Sequence, residues 1–197
     1  MSGLTWEDVS GGVGLRVTVP VTMGPDEAAR ELAPRLSALA GVRATASSGE
    51  AGARPGVPVV TIDGYSGSGK STLATALARL VNGWQVLHLD DWYPGWDGLA
   101  EGAHIARRIA ADLRGGRASS YEAWDWEAGI TGATIRVPLA PTIIEGCGAI
   151  EAEADLVIWI ADPGEEERRH RAITRDGQTY SPHWQRWARQ DLGRSVK

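Results

Sequence analysis

The sequence predicts an α/β domain in which a mostly parallel central sheet is flanked by helices in three layers. Three observations carry this. Apolar, β-branched runs of strand length, "VPVVTID", "QVLHLDD", "PTIIEG" and "DLVIWIAD", recur along the chain, and helical patterns alternate with most of them. Acidic residues stand directly after two of these runs, on the side where open α/β sheets gather their ligands. A glycine-rich stretch joins the first run to a helix.

From the N-terminus, "LRVTVPV" at residues 15–21 reads as a strand, followed by a helix with Leu32, Leu36 and Leu39 on one face. Pro34 interrupts that pattern, so the helix either kinks or begins there. From Ala44 to Pro58 the composition turns to Ala, Gly, Ser and Pro, which is linker chemistry. Residues 1–56 are therefore expected to form a small N-terminal appendage with its linker, and residues 57–197 the main domain. After the strand "VPVVTID", Leu73, Ala74, Leu77, Leu80 and Val81 recur at helical spacing. The strand "QVLHLDD" and a loop follow, then a helix with Ile105, Ile109 and Leu113 in one stripe and Gly115–Gly116 as its stop. An irregular segment leads to the strands "PTIIEG" and "DLVIWIAD". The next helix is marked by Asp162 as cap, Pro163 at its first position and Glu165 three after the cap.

The chain has 197 residues, 43% of them hydrophobic and 23% charged, enough for one substantial core. A net charge of −5 argues against general affinity for nucleic acid or an anionic membrane. The single Cys147 allows no internal disulfide and points to a reducing compartment. No run approaches membrane-spanning length and no signal-peptide pattern opens the chain, so the expectation is a cytoplasmic protein, with homo-oligomerisation left open. The four histidines, His88, His104, His170 and His183, lack ligand spacing and read as structural or solvated.

The glycine-rich stretch is "GYSGSGKST". Its spacing, Gly64-x4-Gly69-Lys70-Ser71, is that of a P-loop, between a strand and a helix as the pattern requires. Glycines let backbone N–H groups curl round phosphate oxygens, the lysine reaches the terminal phosphates, and the serine hydroxyl serves Mg²⁺. The helix N-terminus adds unpaired N–H groups and a positive dipole end. The fold class is thus the three-layer P-loop NTPase type, with ATP and Mg²⁺ as expected cofactors. Gly64, Ser66, Gly67, Ser68, Gly69, Lys70, Ser71 and Thr72 form the nucleotide-binding set.

Phosphoryl transfer also needs a carboxylate to orient or deprotonate the accepting hydroxyl and others to hold the metal or its waters. Asp90 and Asp91 follow "VLHL", and Glu145 follows "TII". Asp90 is expected as general base and near the metal, Asp91 as a substrate or metal contact, and Glu145 beside Mg²⁺ together with Ser71. Trp92, Tyr93, Trp96, Tyr121, Trp124 and Trp126 alternate with Asp91, Asp97 and Asp125, a composition suited to a flat or sugar-like ligand. Core packing is the competing reading for each ring.

Taken together, "TIDGYSGSGKSTLA", "LHLDDWYPGWDGL", "YEAWDWEAG", "TIIEGCGAI" and "RAITRDG" resemble the uridine-kinase-like branch of P-loop small-molecule kinases. More narrowly, they look like actinobacterial uridine-kinase-related ATP-binding proteins. The resemblance spans residues 57–191. It implies that Asp90 acts on the acceptor hydroxyl, that Glu145 is the glutamate after the third core strand, and that a lid carries phosphate-clamping arginines. Arg168, Arg169, Arg171 and Arg175 are available, and Arg171 and Arg175 match the lid pattern better. It further implies an acceptor pocket lined by Asp91, Tyr93, Tyr121, Trp124, Asp125 and Trp126. The expected activity is ATP-dependent transfer of the γ-phosphate to a small-molecule hydroxyl, first of all a nucleoside. A non-nucleoside metabolite as acceptor, or a nucleotide-binding regulatory module without efficient transfer, are the alternatives. The pyrimidine-contacting pattern of uridine kinases is not matched. Related chains also continue into a last strand where this one stops at Lys197, so either the sheet lacks that strand or "LRVTVPV" replaces it.

Overall fold

The computed structural model describes residues 3–8, 14–45 and 55–194, and most of the expected linker lies outside them. Five parallel strands form the sheet: β2 (Leu15–Val19), β3 (Val59–Asp63), β4 (Gln85–His88), β7 (Thr142–Glu145) and β8 (Leu156–Ile160). A short edge strand, β1 (Thr5–Asp8), runs antiparallel to β2. The order across the sheet is β1-β2-β8-β3-β7-β4. β2 is therefore no satellite. It pairs in parallel with β8, Leu15 against Leu156 through Val19 against Ile160, and so extends the sheet past β8, with β1 outermost.

Successive strand residues point to opposite faces, so each fully buried strand feeds two cores. Val60, Ile62, Ile143 and Ile158 enter one core, where they meet α1 (Pro25–Thr45) and α2 (Lys70–Leu80). Val59 and Ile144 enter the other, against α3 (Leu99–Arg114), α5 (Trp184–Leu192) and the aromatic residues around Trp92. Leu32 and Leu36 of α1 are fully buried in the first core alongside Leu73 and Leu77 of α2. The segment expected as an appendage thus shares the main core and sheet.

Several local expectations change. α1 starts at Pro25 and runs through Pro34, whose ring faces solvent, so water can take up the carbonyl its missing N–H leaves free. α2 ends at Leu80, which is 49% exposed, and the buried stripe is completed by Val81 beyond the helix end. α3 begins at Leu99, well before the stretch expected to form it. The segment expected to be irregular is an antiparallel hairpin, β5 (Ser119–Asp125) and β6 (Ile130–Val137). Its turn is set by the Asp125 carboxylate, which accepts the Glu127 and Ala128 amides at 3.0 and 2.9 Å. β6 is exposed at seven of its eight positions, which is why it carried no apolar signal. α4 (Glu165–Asp176) is preceded by Gly164, not Asp162, as its flanking residue. Asp162 instead accepts the Gly164 amide and the Arg168 guanidinium, both at 2.8 Å, holding the turn ahead of the helix.

Candidate active site

The parallel strands end at one edge of the sheet, and a cavity of about 1080 Å³ opens there. Its floor is the loop from Ser66 to Thr72. Gly67 has φ +80°, and a Cβ there would lie 2.2 Å from the Arg168 carbonyl oxygen, so only glycine lets the loop pack against α4. Gly69 has φ +107°, with nothing within 4 Å of the place its Cβ would take. The first bond of the α2 ladder runs from the Leu73 amide to the Gly69 carbonyl at 3.1 Å, which leaves the Lys70, Ser71 and Thr72 amides ahead of it. The buried Ser68 hydroxyl has no protein partner. The Ser66 and Ser68 amides are taken by the Asp191 carboxylate and the Tyr65 carbonyl, so it is the amides at the start of α2, with the orphaned Ser68 hydroxyl beside them, that fit a polyphosphate chain.

Lys70 lies folded beneath this loop. Its ammonium donates to the carbonyls of Gly64 and Tyr65 at 2.9 and 3.1 Å and approaches the Cys147 sulfur at 3.3 Å. Burial pulls its pKa down, but the Cys147 sulfur and the Asp191, Glu145 and Asp63 carboxylates outweigh burial and raise it. Burial also pushes the Cys147 thiol up to about 12, so at neutral pH the carboxylates supply this field.

Asp90 and Glu145 line the cavity with Lys70 and Ser71. Asp90 is open to the cavity yet crowded by protein. Desolvation, with the nearby Glu145 charge, raises its carboxyl above the ordinary range. Glu145 behaves oppositely. Burial alone would raise it, but the hydrogen bond from His88 and the Lys70 charge, with help from the Ser71 hydroxyl, hold it below that range. The His88 Nδ1–Glu145 Oε1 distance is 2.6 Å, and this bond raises the imidazole in turn. Two carboxyls driven apart in this way are suited to separate tasks: the ionised Glu145 to a cation, the more basic Asp90 to a proton. Among the described residues no three carboxylate, His or Cys side chains form a self-contained metal cage. Mg²⁺ at a phosphotransfer centre takes one or two carboxylates and completes its shell with phosphate oxygens and water; Glu145 and the Ser71 hydroxyl fit that need, and Asp90 lines the same cavity.

Of the arginines, Arg171 and Arg175 border the cavity from α4. Arg171 pairs with Glu167 at 2.7 Å and Arg175 with Asp176 at 2.6 Å, both on the exposed helix face. Arg168 is 2% exposed, bonded to Asp162 and to the Ser66 carbonyl at 3.3 Å, and lies 5.0 Å from the Tyr65 ring. It pins α4 to the loop.

The expected acceptor residues separate into two groups. Tyr93 and Trp126 line the cavity, whereas Asp91, Tyr121, Trp124 and Asp125 do not. Tyr93 is buried and donates to the Cys147 carbonyl at 2.7 Å, and Trp126 donates to the Asp90 carbonyl at 2.8 Å, steadying the residue proposed as base. Asp91 is exposed and lies 3.5 Å from the Tyr121 hydroxyl, and Asp125 is spent on the hairpin turn. Trp92 packs in the core with its indole N–H on the Gly102 carbonyl at 3.0 Å. Trp96 is the hub of the aromatic wall, 4.8 Å from Trp126, 5.3 Å from Tyr180 and stacked 4.3 Å from His183.

Three contributions escaped the sequence reading. His88, expected to be structural or solvated, orients Glu145, and its place two residues before Asp90 at a strand end was a usable signal. Tyr180 reaches the Ser66 hydroxyl at 2.8 Å. A buried cluster of Asp63, Asp191 and Arg194 supports the loop from below: Arg194 bonds Asp63 at 2.8 Å and Asp191 at 2.6 Å.

No protein-family model and no curated protein matches the chain. Among solved structures, it is similar to a protein described as a possible uridine kinase from Bacillus stearothermophilus, at 20% identity and a TM-score of 0.45, covering 82% of this chain and 92% of that one. It is also similar to a protein provisionally described as a fructose transport system kinase from Silicibacter sp., at 21% identity and a TM-score of 0.46, covering 80% of this chain and 93% of that one. What the cavity can do therefore follows from its own residues.

Proposed function

We propose that the protein is an ATP- and Mg²⁺-dependent phosphotransferase that moves the γ-phosphate to a hydroxyl of a small molecule, with a nucleoside as the first candidate acceptor. The observation that carries this is the shared cavity: the loop amides and Lys70 at its floor, Glu145 beside Ser71, and Asp90 facing them from the next strand. Catalysis of this kind is mostly positioning and charge stabilisation. Lys70 and the arginines of α4 carry positive charge toward the transferring group. Asp90 accepts the proton of the acceptor hydroxyl as the new O–P bond forms and the bond to the leaving diphosphate breaks. His88 keeps Glu145 oriented and ionised. When bound, Mg²⁺ would neutralise phosphate charge from a position held by Ser71 and Glu145, leaving Asp90 to the proton. The wall of Trp96, Trp126 and Tyr180 favours an acceptor with a flat face.

The direct test is ADP release from Mg-ATP across a panel of nucleosides, sugars and other alcohols. Acceptor-stimulated release with at least one nucleoside is expected. Binding of ATP without stimulated release by any acceptor would overturn the phosphotransferase reading, and stimulation by non-nucleosides alone would overturn the choice of acceptor.

A further inference from the structure

The geometry points to residues 19–28, at the end of β2 and the start of α1, as the subsite for the heteroaromatic base of the nucleoside triphosphate. This rests on the phosphotransferase reading and assigns a part of the same cavity that none of the predicted site residues occupies.

The sheet order places the carboxyl ends of β2, β8, β3, β7 and β4 side by side along one edge. The phosphate loop leaves β3, at the middle. Asp90 follows β4, two strand spacings or about 10 Å to one side. The end of β2 lies the same two spacings to the other side, and the Ala161 amide donates to the Val19 carbonyl at 3.0 Å, tying the ends of β8 and β2 together.

The two ends of the cavity differ in chemistry. The β4 side presents Asp90 and Glu145. The ends of β2 and β8 and the start of α1 present Pro20, Val21, Met23, Ala28, Ile160 and Pro163, and no lining residue from these segments is charged; the arginines of the lining come from α4. Val21 is 57% exposed and Met23 is half-buried, so apolar surface is left facing the cavity. A nucleotide whose phosphates lie on the loop must send its base one way or the other. The acceptor hydroxyl has to meet Asp90, so the acceptor takes the β4 side and the base takes the apolar side. Flat heterocycles gain from burial against such a wall, while the acids opposite offer them no matching donors.

The Met23 amide donates to the Pro20 carbonyl at 3.0 Å, so a tight turn holds these side chains in place. The N-terminal segment then has two tasks: it completes the sheet and it furnishes the base wall.

The test compares Mg-ATP with Mg-tripolyphosphate, which carries the phosphate chain and no base, by calorimetric titration of the full chain. The variant V21N/M23Q makes the wall polar without adding charge, and Val21→Asn alone alters only an exposed side chain. The double variant is expected to bind ATP about tenfold more weakly and tripolyphosphate like the parent. Val21→Asn should change ATP affinity in the same direction by less. Unchanged ATP affinity in both variants, or equal weakening toward both ligands, overturns the base subsite while leaving the phosphate loop assigned. Failure of the parent to bind either ligand overturns the phosphotransferase reading and the subsite together.

Discussion

The Asp191 carboxylate, at the far end of the chain, accepts the Ser66 amide of the phosphate loop at 2.7 Å. Asp191 is fully buried, and its other oxygen is held by Arg194, which also bonds Asp63 beneath the same loop. The shape of the loop thus depends on α5 as well as on its own glycines. Removing one partner of a buried ionic cluster leaves uncompensated charge. Arg194→Met is expected to lower stability by about 3–5 kcal/mol in urea unfolding and to weaken nucleotide binding. A variant of parental stability would show that the cluster does not hold the loop.

Lys70 is charged, buried and already directed at the loop carbonyls. A hydrogen bond to a charged group is worth about 1.5–3 kcal/mol. Lys70→Ala should therefore weaken Mg-ATP binding by roughly 10- to 100-fold and depress turnover. Equal affinity in variant and parent, read by titration, would remove Lys70 from phosphate binding.

Asp90→Asn keeps the shape of the side chain and removes the base. General-base catalysis contributes about 10²–10⁴-fold, so turnover should fall by that order while ATP affinity is kept. Because desolvation and Glu145 raise the Asp90 carboxyl, the acidic limb of kcat/KM against pH should lie above the ordinary 3.8. An acidic limb that persists unmoved in the variant would assign the proton acceptor elsewhere.

The His88–Glu145 bond should show itself in the pH dependence of stability. The histidine is raised on folding, so its contribution is complete below its ordinary 6.5 and is lost as pH climbs through the raised value. The glutamate is lowered, so its contribution is complete above its ordinary 4.5 and is lost as pH falls through the lowered value. The difference in Tm between the parent and His88→Gln should be greatest between pH 4.5 and 6.5. A difference that is flat from pH 4 to pH 9 would mean the pair adds nothing specific.

Leu32 of α1 is fully buried against α2 and the sheet. Leu32→Ala should cost about 2–5 kcal/mol of unfolding free energy in a single transition. A loss below about 1 kcal/mol, or a separate early transition for the N-terminal segment, would indicate a loosely attached unit.

The five parallel strands, the phosphate loop and the carboxylates after β4 and β7 were legible because each is written locally. Gly64-x4-Gly69-Lys70-Ser71 states its own chemistry, and Asp90 and Glu145 are found by counting from the ends of apolar runs. The hairpin was not legible, since β6 is exposed on both faces and lacks the alternation that marks a half-buried strand. The division of the aromatic residues was hidden as well. "WYPGWDGL" gives Trp92 and Trp96 the same letter, yet Trp92 is packed in the core and Trp96 borders the cavity.

The sequence by itself determined that a phosphate-gripping loop precedes a helix and that acids follow the neighbouring strands, because strand period, helix period and backbone freedom at glycine are properties of short segments. Only the tertiary structure decided that residues 15–19 extend the sheet past β8, that Asp191 and Arg194 brace a loop more than a hundred residues away, and that His88 turns to Glu145. Those outcomes come from burial and charge balance among distant segments, where a contact is stable only once the rest of the core is in place.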